Sequence, residues 1–327
     1  MMAPGKNGLS LLVGAGGLLV LALVLPSLIE SRFIVDVMTM ILFSAFLGQS
    51  WNILGGYGGQ FSFGGVVFFG TGAYASTILL ETFGVNPWLG MLAAIAAGVM
   101  VAILISFLSF RYGLRGSYFA LITLAFAEVF KVLANSVEFT GAGVGIFIKH
   151  ESSLARIQFD DPAGYYYVAL VMTIISLLIA WWLSRSRFGA YLIAVRENED
   201  AAEALGVNAF RCKMYAIMIS GGMGGAAGTF YVQKFLYIDP PIAYGIAQSV
   251  EMLLVTIVGG MGTIFGPLVG SFVLHGVNEI SRNYIETPGL SLIIYGAILI
   301  AIIGYMPNGI IGLLKKHFRK KTGGDSA

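Results

Sequence analysis

Ten stretches of this chain read as crossings of a lipid bilayer, and no other property of the sequence restricts its fold so severely. A helix rises 1.5 Å per residue, so about 30 Å of hydrocarbon takes roughly 20 apolar residues. Nine stretches are clear: Leu9–Ile29, Val37–Leu54, Phe61–Leu80, Trp88–Phe110, Ser117–Ala134, Tyr165–Leu183, Met214–Leu236, Thr263–Ile280 and Leu290–Tyr305. The tenth, Tyr244–Val258, is short. Charge is thin between them: 11% of the 327 residues are Asp, Glu, Lys or Arg, against roughly 25% in a soluble domain. A water-soluble enzyme is excluded. Lipid leaves backbone polar groups to pair within the chain, so the spans are helices. The expected fold is all-α, a polytopic membrane protein of about ten transmembrane helices forming one domain over residues 1–327.

The remaining totals exclude several classes. Net charge is +2, and the Lys and Arg residues are scattered rather than clustered as a nucleic-acid footprint requires. Cys212 is alone, so no internal disulfide exists, and His150, His275 and His317 lack metal-ligand spacing. The apolar run after Lys6 has no small-residue cleavage site and reads as a membrane segment rather than a signal peptide. Orientation follows from the short loops. With ten spans and the N-terminus inside, cytoplasmic segments hold Lys6, Arg111, Arg115, Arg185, Arg187, Arg196, Arg211 and Lys213, together with the basic tail 313–327. The opposite side holds only Arg32, Lys149, Arg156, Lys234 and Arg282. A re-entrant Tyr244–Val258 would send the tail outside, so both termini are expected in the cytoplasm.

Two connections are long enough to act. Asn135–Gly164, with an acidic pair at Asp160 and Asp161, reads as an external lid or docking loop. Segment 184–213 faces the cytoplasm and is the most polar part of the chain. Within it, Asp200 and Glu203 have capping-box spacing, Ala201 and Leu205 share a face, and Gly206 suits a helix stop. A helix of two turns is marginal in water, so it is expected to need a partner surface. An ordinary solvated loop helix is the alternative.

Glycine is the next signal. Gly221, Gly225, Gly224 and Gly228 give small-xxx-small spacing, which indicates tight helix packing. Two further runs, Gly55–Gly64 and Gly259–Pro267, interrupt apolar stretches, where irregular backbone survives only if protein buries it or water fills a cavity. Gly58, Gln60, Ser62, Gly260 and Gly262 are therefore candidates for the translocation path. Neither run supplies the Lys and Ser or Thr of a P-loop, and no G-x-S-x-G occurs, so ATP hydrolysis or acyl transfer by this chain is unsupported. Ionisable groups within spans complete the path candidates. Glu128 has Lys131 at i+3, and Glu251 lies beside Gln248 and Ser249 with no cation in its own helix. A mid-span charge costs about 2.5 to 3.5 kcal/mol, so each is expected to face away from lipid.

Several blocks together resemble a known family. These are Gly58–Gly64 leading into Phe68–Tyr74, Leu114–Glu128, Gly189–Asn208 and Gly259–Gly270. The chain from about Ser44 to Gly312 resembles the permeases of bacterial ABC importers for branched-chain amino acids, of the LivM type. The resemblance implies a permease that is not itself an enzyme and binds no cofactor. It implies a second related permease, two cytoplasmic ABC ATPases carrying ATP and Mg, an external amino-acid-binding protein, and a place in the bacterial inner membrane. It also implies that Ala202–Gly206 is the ATPase coupling helix, with Glu203, Leu205 and Gly206 on it, Asp200 at its start, and Arg196 and Glu197 flanking it. One departure is Gly65, where family members commonly carry His. Importers of urea or short-chain amides share the pattern, and a proton-coupled secondary transporter using Glu128 or Glu251 is the rival class.

Overall fold

A computed structural model describes residues 22–284, together with 296–297, 300, 304, 306 and 309–313. Residues 22–28 are helical. The named helices follow as α1 Arg32–Asn52, extended by a π-helical turn Ile53–Tyr57, then α2 Gly65–Phe83, α3 Pro87–Phe110, α4 Ser117–Ser136 and α5 Pro162–Arg185. The connection after α5 carries α6 Arg187–Glu197 and α7 Glu199–Ala204. The chain continues as α8 Ala209–Phe235, α9 Pro240–Tyr244, α10 Ile246–Gly259 and α11 Gly266–Tyr284. Among the described residues, six helical stretches are long and apolar enough to cross a membrane: α1 with its π turn, α2, α3, α4, α5 and the α9–α10 pair. Helices α8, at 27 residues, and α11, at 19, have the length with lower apolar content. Most of Leu9–Ile29, most of Leu290–Tyr305 and almost all of the tail 313–327 lie outside the described residues.

Helix α8 is the hub. Its glycines let neighbouring backbones close on it: a Cβ on Gly225 would strike the Ala94 carbonyl, and one on Gly228 would strike the Phe69 carbonyl. Across the contact, α3 buries Gly90, Ala94, Gly98 and Ala102, one every four residues. That spacing forms a single ridge. The large residues of α3 point the other way, with Leu92 and Met100 more than 60% exposed. Small residues inward and large apolar residues outward is the packing expected where lipid is the solvent. The tight-packing reading of the Gly221–Gly228 stripe therefore holds.

Helix starts differ from the expected spans by a few residues, as at α1, which begins at Arg32, and α8, which begins at Ala209, and two of these differences bear on the site. The span expected from Phe61 starts at Gly65, because residues 58–64 are irregular. The short Tyr244–Val258 is longer and broken: Asp239 caps α9 by accepting from Ile242 N at 2.7 Å, Pro240 takes the first helical position, and Gly245 separates α9 from α10.

Connections segregate to two ends. At one end, β1 Ile146–Phe147 pairs antiparallel with β2 Tyr237–Ile238, and Trp88 Nε1 donates to the Leu154 carbonyl at 3.0 Å. The acidic pair of this connection, Asp160 and Asp161, has local roles. Asp161 caps α5 by accepting from Ala163 N, while hydrogen bonds from Ser152 and His150 hold the Asp160 carboxyl below its ordinary range. The opposite end gathers residues 58–64, 111–116, 186–208 and 260–265 through the contacts below.

Candidate functional site

The site begins with an irregular backbone that other side chains complete. Trp51 Nε1 donates to the Ser62 carbonyl at 2.7 Å, and Phe63 N donates to Thr123 Oγ1 at 3.1 Å. Ser249 Oγ donates to the Phe63 carbonyl at 2.6 Å and accepts from Val66 N at 3.0 Å. Residues from α1, α4 and α10 thus pair the backbone that helix geometry leaves open, as burial away from water demands. Gly58, Gln60 and Ser62 all lie in this loop. Ser62 Oγ accepts from Gly64 N, and the buried Gln60 Oε1 and Tyr57 hydroxyl have no partner among the described residues.

The second glycine run packs directly on the first. Asn52, fully buried, accepts from Gly262 N at 2.8 Å and donates through Nδ2 to the Thr263 carbonyl at 3.0 Å. Gly56 is required at the contact, because a Cβ there would strike Asn52 Oδ1 and lie 2.5 Å from Gly262 N. Gly262 itself has φ +69°, and Gly260 has φ +125°. Asn52 was not legible as a site residue, since nothing in its own stretch marks it.

Arg196 ties this pair of loops to the polar connection. Its Nη1 donates to the Gly56 carbonyl at 2.9 Å, its Nε donates to Glu197 Oε1 at 3.1 Å, and its stem lies against Gly59, whose φ is +66°. Residues expected separately as coupling and path groups therefore form one assembly. We refer to it as the hinge.

Beyond Arg196 the short helix α7 is partly docked on its own chain. Asn198, not Asp200, is the N-cap, accepting from Ala201 N at 2.9 Å. The capping-box expectation is corrected for a geometric reason: Asp200 is already inside the helix and pairs with Arg115 Nη1 at 3.0 Å. Glu199, which the sequence reading passed over, bridges two cations, Lys213 at 2.7 Å and Arg115 at 3.2 Å. Lys213 is buried beneath the Phe110 ring. Asp200, and then Glu199, hold the Arg115 guanidinium above its ordinary pKa. Ala202 is buried, whereas Glu203 and Gly206 are exposed and Leu205 is 86% exposed. Gly206 has φ +86° and ends the helix as expected.

The remaining path candidates lie elsewhere. Glu128 and Lys131 pair at 3.2 Å, but their side chains stay 44% and 36% exposed, off the inward face of α4 formed by Phe119, Thr123, Ala127 and Ala134. Glu251 does acquire a basic neighbour, from α11: His275 Nε2 lies 3.4 Å away, and Ser44 donates to the same carboxylate at 2.9 Å. Gln248 is half-buried. Gly65 opens α2 with the Met252 sulfur 2.9 Å from where a Cβ would stand, so this chain has no room for an imidazole there without a shift.

A family model described as "Branched-chain amino acid transport system / permease component" matches residues 33–303. The high-affinity branched-chain amino acid transport system permease protein LivM of Salmonella typhimurium is 28% identical, over 94% of this chain and 76% of its own length. LivM of Escherichia coli K12 matches with the same identity and coverage. A probable branched-chain amino acid transport permease protein LivH of Methanocaldococcus jannaschii is 23% identical, over 76% of this chain and 82% of its own. No solved structure matches.

Proposed function

The chain belongs to the branched-chain amino acid transport system permease family, and from that membership we propose that it is the membrane subunit of an ATP-driven importer of branched-chain amino acids. It pairs with a second, related permease, and each permease receives one ATPase subunit on the α7 side. ATP and Mg are bound there, not on this chain. A binding protein docks at the opposite end, beside the β1–β2 pair. The complex resides in the bacterial inner membrane with both termini cytoplasmic, an orientation supported by Arg115, Arg196 and Lys213 lying together at the α7 end.

The observation that carries the mechanism is the Arg196 bridge to the Gly56 carbonyl. ATP binding draws the ATPases together and moves α7 through its exposed C-terminal end, at Leu205 and Gly206. Glu199 and Asp200 carry that displacement to Arg115 and Lys213, and Arg196 carries it to the π turn. The π turn and the Gly260–Gly262 loop move as one because Asn52 holds both. Spans α1 and α10 then reorient, opening the path to one side at a time. Glu128 and Lys131, exposed on this chain alone, face the second permease or the path rather than lipid.

Leucine uptake into vesicles is the test. Vesicles holding the permease pair, the ATPases and the binding protein accumulate leucine only with ATP. Uptake by the permease pair alone under a proton gradient would overturn the proposal in favour of secondary transport.

A further inference from the structure

A carboxylate, an imidazole and a hydroxyl from three spans meet near mid-depth, away from the hinge. Glu251 lies midway along α10, Ser44 midway along α1 and His275 midway along α11. The Ser44 hydroxyl donates to Glu251 Oε1 at 2.9 Å, and His275 Nε2 lies 3.4 Å from that same oxygen. Both contacts fall on Oε1. Glu251 Oε2 and His275 Nδ1 have no hydrogen-bond partner among the described residues. Ser44 is buried, but the Glu251 and His275 side chains keep 39% and 19% exposure. The pair is open on one side.

Ionisable groups at this depth are costly against lipid and normally face a cavity or a partner. The two vacant atoms are also chemically complementary. A carboxylate oxygen accepts from an ammonium group, and an imidazole Nδ1–H donates to a carboxylate. An α-amino acid zwitterion carries both of those groups on a single carbon. We infer that Glu251 and His275 form a docking site for the zwitterionic head of an amino acid, Glu251 receiving the ammonium and His275 the carboxylate.

The inference rests on the reading of the chain as an amino acid permease and assigns the side chains that meet the head group. Glu251 Oε1 already accepts from Ser44 and lies beside His275, so a guest exchanges one set of polar contacts for another. The net gain is small and the occupancy brief. A transit site requires that, since tight binding would oppose release.

The test uses the assembled permease–ATPase complex in lipid nanodiscs, without binding protein, probed with radiolabelled leucine. Wild type shows weak, saturable binding in the millimolar range. Unlabelled valine competes, whereas 4-methylpentanoate, which lacks the ammonium, and 3-methylbutylamine, which lacks the carboxylate, do not. Glu251→Gln and His275→Gln each weaken binding about tenfold or more, the scale of a lost hydrogen bond to a charged group. The analogue competition needs no variant and decides the matter even if a variant fails to assemble. Equal competition by either analogue, or unchanged binding in both variants, overturns the inference. A complex that imports leucine with ATP but shows no saturable binding also overturns it, while leaving the transport reading intact. A complex that neither binds nor imports any branched-chain amino acid defeats the transport reading itself.

Discussion

The Arg196 guanidinium and the Gly56 carbonyl oxygen, 140 residues apart in sequence, are joined by a 2.9 Å hydrogen bond. One belongs to the polar connection and the other to the π turn that ends the first named span. The bond therefore joins the polar connection directly to the end of α1.

Arg196→Gln removes the charge and the fork of donors. A hydrogen bond to a charged group contributes about 1.5 to 3 kcal/mol, and partial exposure of Arg196 puts this one at or below the lower end. Leucine uptake per ATP hydrolysed is expected to fall about tenfold, while basal hydrolysis persists. The ratio of radiolabelled uptake to phosphate release checks this. An unchanged ratio would remove Arg196 from the transmission route.

Gly56→Ala places a methyl against Asn52 Oδ1 and 2.5 Å from Gly262 N. Both neighbours are held by the hinge hydrogen bonds, so relief requires breaking them. The expected cost is about 1 to 3 kcal/mol of overpacking, read as a lower melting temperature in detergent. Asn52→Ala paired with Gly56→Ala should recover part of that loss, because the obstructing oxygen is gone.

Glu199→Gln leaves Lys213 buried without a formal counter-charge. Breaking a buried pair from one side costs about 3 to 5 kcal/mol, whereas replacing both partners by apolar residues is often neutral. The double variant Glu199→Leu/Lys213→Met is accordingly expected to melt above the single variant. If the single variant melts with wild type, the Lys213 ammonium is not stabilised by Glu199.

Leu205→Asp tests the exposed C-terminal end of α7, where Leu205 is the C-cap. With the side chain 86% exposed, the permease's own stability should change by no more than about 0.5 kcal/mol. Co-purification of the ATPase subunits should weaken about tenfold, as loss of an interface anchor does. Retained ATPase at wild-type stoichiometry would place the docking face elsewhere.

The hinge was legible only in pieces. The two glycine runs stand out because each breaks an apolar stretch, and Gly206 marks a helix stop by the left-handed φ it adopts. Asn52 and Glu199 gave no such signal. A buried amide within a long span and one acid among several look ordinary until the groups they bond, Gly262 and Lys213, are known. The capping-box spacing at Asp200 misled because Asn198, two residues earlier, is an equally good cap and begins the helix sooner.

Taken alone, the order of residues determined that this is a membrane-spanning helical protein. Apolar length and scarcity of charge are local properties, and in lipid an uninterrupted apolar run of about 20 residues satisfies its backbone as helix. It also determined which small residues pack and where helices stop, because a missing Cβ acts at its own position. Only the tertiary structure decided that the π turn, the Gly260–Gly262 loop and Arg196 form one joint, and that His275 approaches Glu251 from another helix. Such pairings depend on which faces of separate helices meet. That is set by the packing of the whole bundle around α8, which no short window of sequence contains.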